Sequence, residues 1–200
     1  HTGATDFRPG KVLFVTTSHN HLDNGAQTGV WLEEAAEPYR ELAGQGIEVV
    51  VASPKGGVVP IDPRSNPTAA QSAVWQQSIK ALENSVPLSS LSSQHFDGVF
   101  LPGGHGPMFD LAKDDSLASL LRGFHAEKKP IGAVCHGPAG LANVKLGDGT
   151  YLVAGKEVTS YSWEEEILAQ LDKDVPFNLQ QTLTDHGGFY TAPHPRKSHV

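Results

Sequence analysis

The run PIGAVCHGPAGL carries the single cysteine of the chain, Cys135. An apolar stretch leads straight into it, and His136 and Gly137 leave almost no room for a loop before Pro138. Pro suits the first position of a helix, where its fixed φ fits and its missing N–H is not needed. A buried strand that turns at once into a helix leaves the residue between them on a tight elbow, the setting of a nucleophile. A helix N-terminus favours the thiolate, so the expectation is a lowered Cys135 pKa. The backbone N–H of His136 would point the same way and donate to an oxyanion. The plainer alternative is a small buried hydrophobe beside an incidental His, the usual fate of a lone cysteine.

Other residues can serve that nucleophile. PGGHG, Pro102 to Gly106, ends the preceding predicted strand, and its adjacent glycines permit positive φ and close backbone approach. Their N–H groups can complete an oxyanion hole. Glu34 lies on a predicted helix among Val30, Trp31 and Ala35, and Pro38 cannot bond its carbonyl, so a kink is expected there. Periodicity alone nevertheless favours Glu33 and Glu34 as surface residues networked with Glu37 and Arg40. Glu164, Glu165 and Glu166 read as a solvated acidic face from which one member can turn toward His136. His19, His21, His186, His194 and His199 lack metal-ligand spacing, so no metal site is expected. No P-loop or G-x-G-x-x-G appears, and no cofactor is implied.

The elements that must position these residues alternate. Strands are predicted over 11–18, 48–53, 96–101 and 130–134. Helices are predicted over 28–46, 71–82, 117–128 and 163–171, with Thr28 as an N-cap and a short helix from Pro138. Residues 54–67 form a long Pro- and Gly-rich loop, 85–93 a Ser-rich connector, and 153–159 are expected to pair as strands. Helix then strand in quick succession implies βαβ units, hence a doubly wound α/β fold with a mostly parallel sheet. Sites in such sheets lie at the carboxyl ends of the strands, where SHNH, PGGHG and CHGP all fall.

Bulk composition narrows the function. The 200 residues are 38% hydrophobic and 18% charged, enough for a core. The net charge of −7 with a weak basic cluster only at Arg196 and Lys197 argues against nucleic acid. No apolar run is long enough for a membrane helix. One cysteine permits no internal disulfide and suits a reducing, cytoplasmic setting.

Several blocks together resemble the ThiJ/PfpI superfamily, which has the class I glutamine amidotransferase-like fold. They are TGVWLEEAAEP, VVVASPKGG followed by PIDPRS, FDGVFLPGGHGPMFDL, AVCHGPAGL, GKEVTSYSWEEE and VPFNLQQTL. The Cys-His pair is similar to the branch of heat-shock chaperones and glutathione-independent glyoxalases (glyoxalase III). The resemblance implies a flavodoxin-like three-layer sandwich in a single domain over residues 1–200. That domain would stop short of the family's C-terminal strand and T-G-Q-N-P-type loop. It also implies a homodimer. Cys135 matches the nucleophile, and Glu34 matches the carboxylate that bonds the thiolate, which reverses the periodicity reading. His136 matches the His of the pair, and Glu166 the acid that orients it, with Glu165 one register away. Gly104 and His136 match the oxyanion N–H donors.

Three activities follow from these expectations. One is a cofactor-free glyoxalase that turns methylglyoxal-type 2-oxoaldehydes into D-lactate-type hydroxy acids through a hemithioacetal. Another is a peptidase or amidase with a Cys-His-Glu triad. The third is a stress chaperone for misfolded proteins or a redox sensor without turnover.

Overall fold

The computed structural model describes residues 10–192. The basic pair Arg196–Lys197 and the histidines His194 and His199 lie outside the described residues. Along the chain come β1 (Lys11–Val15), α1 (Leu32–Gly44), β2 (Glu48–Ser53), α2 (Ala69–Val74), α3 (Gln76–Glu83), β3 (Val86–Pro87) and β4 (Gly98–Leu101). There follow α4 (Asp115–Ala126), β5 (Ile131–Ala133), α5 (Ala139–Ala142), β6 (Glu157–Val158), α6 (Trp163–Leu168), α7 (Leu179–Asp185) and β7 (Phe189–Tyr190). Five strands form one sheet in the order β3-β2-β1-β4-β5, with every neighbouring pair parallel.

β1 shows why the fold has three layers. Its side chains alternate across the sheet. Leu13 and Val15 pack on one face with Leu117, Leu121 and Phe124 of α4. Phe14 packs on the other with Leu32, Ala35, Ala36 and Tyr39 of α1 and Leu82 of α3. Covered on both faces, the strands are apolar runs rather than alternating ones, as buried parallel strands should be. A third cluster, with Met108, Ala139, Val153, Leu179 and Leu183, ties α5 and α7 to the loop after β4.

Several expected boundaries shift for physical reasons. Thr28 does not cap α1. Its hydroxyl is buried and donates to Asp62 Oδ2 at 2.9 Å, and α1 begins only after Trp31, without a side-chain cap. The expected 71–82 helix is two helices meeting at Trp75, and the first starts from a capping box of Thr68 and Gln71. Of 153–159 only Glu157–Val158 becomes a strand, β6, and it pairs in parallel with β7. Part of the Ser-rich connector is β3, which joins the sheet edge beside β2. No described helix is long and apolar enough to cross a membrane.

Candidate active site

β5 ends at Ala133, and the chain turns sharply through Cys135. Cys135 has φ +56°, a left-handed conformation that a residue with a side chain rarely adopts. Holding it there costs on the order of 1–3 kcal/mol, so the surroundings must over-determine it. They do so with backbone. Val134 N–H donates to Leu101 O at 3.1 Å, Gly137 N–H to Val134 O at 2.7 Å, and Tyr161 N–H to Cys135 O at 2.8 Å. A Cβ on Gly137 would collide with Leu101 O and come 2.8 Å from Val134 O, so only glycine closes this turn. The elbow expected from CHGP is therefore present.

The loop after β4 supplies the opposite wall. Gly104 has φ +92°, and a Cβ there would strike the backbone of Gly29 and Val30–Trp31. A Cβ on Gly103 would collide with a Glu34 carboxyl oxygen and approach Cys135 Cβ at 2.6 Å. Both glycines are thus required by close approach, and the N–H groups of Gly104 and His136 donate to the Cys135 sulfur. Glu34 comes from the first turn of α1. It is half-buried, accepts from Gly103 N–H at 3.1 Å and bonds the Cys135 thiol. The surface network read from periodicity is wrong for Glu34: its side chain turns into the site, whereas Glu33 and Glu37 stay exposed.

Electrostatics overturns one expectation. Cys135 is not poised as a low-pKa thiolate. Burial, with the Glu34 carboxylate beside it, pushes its thiol well above the ordinary value, and the two backbone N–H groups only partly oppose this. Burial likewise pushes Glu34 up to about 7, against the lowering effect of its bonds to Cys135 and Gly103.

The imidazole of His136 reaches the sulfur, with Nδ1 3.4 Å from Sγ. Its Nε2 lies 2.8 Å from Glu166 Oε2. Burial lowers the His136 pKa to about 4, so the ring is neutral near neutral pH. Glu166, by contrast, is held down at about 2: burial alone would raise it, but two imidazole bonds overcome that. The neighbouring Glu165 is ruled out as the orienting acid. It forms a capping box with Ser162, its carboxylate accepting from Ser162 N–H at 3.1 Å. S-W-E-E is the S-x-x-E signature of such a box, so this assignment was available in the sequence.

The residue that sequence reasoning missed is His105, of PGGHG. It is buried, places Nε2 2.6 Å from Glu166 Oε1, and lies against His136 with ring centroids 4.0 Å apart. Tyr161 covers His136 at 4.5 Å. Its only signal was a histidine between glycines at a strand end. His105, His136 and Glu166 also have the ligand types of a metal site, their atoms lying within 4.8 Å of one another. The group fits a metal poorly. The carboxylate lies between the two Nε2 atoms and is bonded to both, and the Arg64 guanidinium abuts His105. His19 stacks on Phe109 and lies tilted against His21, and neither joins such a group among the described residues. His186 stacks on Tyr151.

The chain is 31% identical over 172 residues to glutathione-independent glyoxalase hsp3101 of Schizosaccharomyces pombe, covering 80% of this chain and 70% of that one. The crystal structure of glyoxalase III from Candida albicans superposes with TM-score 0.82 at 26% identity, over 92% of this chain and 83% of that one. The 24 kDa rapid encystment protein of Francisella tularensis superposes with TM-score 0.87 at 34% identity, over 96% and 87%. The model of the DJ-1/PfpI family matches residues 26–198, and the chain belongs to that family.

Proposed function

We propose that this protein is a glutathione-independent glyoxalase acting on 2-oxoaldehydes of the methylglyoxal type. The observation that carries the proposal is the double attendance on one sulfur: the Glu34 carboxyl bonds the Cys135 thiol, and His136 Nδ1 stands 3.4 Å away. A thiol with two bases of different strength can both add to an aldehyde and move a carbon-bound proton.

The Sγ–H proton passes to neutral His136 Nδ1 as sulfur attacks the aldehyde carbon, and the imidazolium is stabilised by ionised Glu166. The new oxyanion, held by backbone N–H groups of the Gly104 and His136 kind, takes that proton back and becomes a hemithioacetal hydroxyl. Glu34, with its pKa of about 7, is the better-matched base near neutral pH. It removes the hydrogen from the sulfur-bearing carbon and returns it to the adjacent one through an enediolate, while the hydroxyl proton passes from the first oxygen to the second. The product is a hydroxyacyl thioester, which water cleaves to a hydroxy acid and free thiol. The net change is addition of one water to methylglyoxal, so no external oxidant or reductant is consumed. Curated relatives named as glutathione-independent glyoxalases support this reading.

Incubation with methylglyoxal in the absence of glutathione tests it. Wild type should accumulate D-lactate and Cys135→Ala should make none. Equal lactate from both proteins would sink the idea. One observation favours a second reading, a cysteine peptidase or amidase: the adjacent imidazole does reach the sulfur. That chemistry needs Cys135, His136 and Glu166 but no carbon-proton shuttle. Glu34→Gln should therefore spare ester or amide hydrolysis and cut lactate formation by about 10²–10⁴-fold.

A further inference from the structure

We propose that His105 and Arg64 are positioning residues that fix the proton on the far side of His136, extending the Cys-His-Glu unit into a continuous chain that ends at buried Asp62. The inference rests on the reading of His136 as the base for Cys135, and it assigns a role to residues outside that trio.

The chain can be followed donor by donor. Arg64 holds Asp62 through a fork, Nε to Oδ1 at 3.0 Å and Nη2 to Oδ2 at 2.7 Å. Asp62 is fully buried and is steadied further by Thr28 Oγ1 and by the Arg64 backbone N–H. The same Arg64 Nη2 lies 3.2 Å from His105 Nδ1. A guanidinium can only donate. His105 Nδ1 must therefore accept, and the ring proton of neutral His105 must sit on Nε2, which donates to Glu166 Oε1 at 2.6 Å. Glu166 spends that oxygen on His105 and its other oxygen on His136 Nε2. With Nε2–H of His136 committed to the carboxylate, the neutral ring leaves Nδ1 bare toward sulfur, which is the form a base needs.

Without the donor on Nδ1, His105 could carry its proton there and turn an unprotonated Nε2 toward the Glu166 carboxylate, lone pair against lone pair. Oε1 would lose its partner, and His136 would no longer be held by a fixed acceptor. Every titratable group around the pair has a place in this arrangement: Glu166 between the rings, Arg64 behind His105, Cys135 before His136, and the Tyr161 ring at 4.5 Å from His136 and 6.0 Å from His105. Arg64 is the accessible handle, because its side chain is 45% exposed while His105 is buried.

The test is NMR of the full chain with isotope-labelled histidine, together with the rate of Cys135 alkylation by iodoacetamide at neutral pH. In wild type both His105 and His136 should report Nε2–H with bare Nδ1. Arg64→Leu should populate the other His105 tautomer and slow alkylation about tenfold, the lower end of the loss seen when the partner behind a metal-bound imidazole is removed. Arg64→Lys, which keeps a donor, should restore most of the rate. His105→Gln, which can still donate to Glu166, should exceed His105→Leu for the same reason. In turnover, Arg64→Leu should lower kcat and leave KM unchanged. Unchanged tautomers and an unchanged alkylation rate in folded Arg64→Leu would overturn the proposal; so would a wild-type His105 protonated at Nδ1. Alkylation and tautomers do not depend on the substrate, so a wild type that makes no lactate but shows the expected tautomers would refute the glyoxalase reading alone.

Discussion

Two glutamates flank the same cysteine–histidine pair and are driven in opposite directions. Glu34 is pushed up to about 7 and Glu166 is held down at about 2. Burial raises both, so burial does not explain the difference. Bonding does. Glu166 is gripped by an imidazole at each oxygen, and both favour its charge. Glu34 has one backbone donor, Gly103, and a thiol, with the like charge of Glu33 nearby. The same side chain becomes a proton carrier at one end of the site and a fixed anion at the other. Pairs of titratable groups pushed apart in this way mark division of labour in acid–base chemistry.

The largest effect should come from breaking the mobile end. Glu34→Gln keeps size and a bond from Gly103 but cannot accept a proton. Lactate formation should fall by about 10²–10⁴-fold, the usual worth of a positioned general base. In wild type the rate should climb as pH rises through about 7, where Glu34 ionises. The steady-state pH profile reads this directly, and a residual rate in Glu34→Gln that keeps the same limb would assign the base elsewhere.

Breaking the fixed end should cost less. Glu166→Gln presents an amide N–H₂ to one of two imidazole N–H groups and loses the anion that stabilises the imidazolium. We expect about 10–100-fold loss of kcat, the range seen when the carboxylate behind a metal-bound imidazole is removed, the nearest analogue of this contact. Stability against pH sharpens the contrast. A carboxyl raised in the folded state makes the protein more stable on the acid side and loses that contribution as pH climbs from about 4.5 to about 7, which is the case of Glu34. A carboxyl lowered in the folded state contributes above about 4.5 and loses it as pH falls toward about 2, which is the case of Glu166. Denaturant titrations across pH should show Glu34→Gln flattening the first slope and Glu166→Gln the second. A common slope in both variants would contradict the opposed assignments.

These differences were unevenly legible in the chain. The parallel sheet, the elbow at Cys135 and the glycine loop were all marked by local signals: apolar runs such as KVLFV, tight turns at Gly137, and glycines with no room for a side chain. Glu34 was not, because helical periodicity placed it on the surface; what turns it inward is a contact with the loop after β4, far away in sequence. The thiol pKa was misjudged because sequence shows that a helix follows Cys135 but not that the fold buries the thiol beside the Glu34 carboxylate. His105 was invisible as a partner because its role depends on α6, 61 residues further on, delivering Glu166. Element identity was local information; proton positions were not.

The smallest effect separates Glu166 from its neighbour. Glu165 closes the capping box at the start of α6, its carboxylate on Ser162 N–H and its own N–H on the Ser162 hydroxyl at 3.1 Å. Glu165→Ala removes the first of these bonds and leaves the second. The expected cost is about 0.5–1 kcal/mol of stability, the lower part of the range for helix caps. Its catalytic consequence should be nil, since the Glu165 carboxylate is bonded to Ser162 N–H and both imidazoles are bonded to Glu166. Thermal unfolding and lactate formation measured on the same preparation check both halves. If Glu165→Ala damaged turnover as severely as Glu166→Gln while remaining folded, the orienting role would belong to the start of α6 as a whole and not to the one carboxylate gripped between two imidazoles.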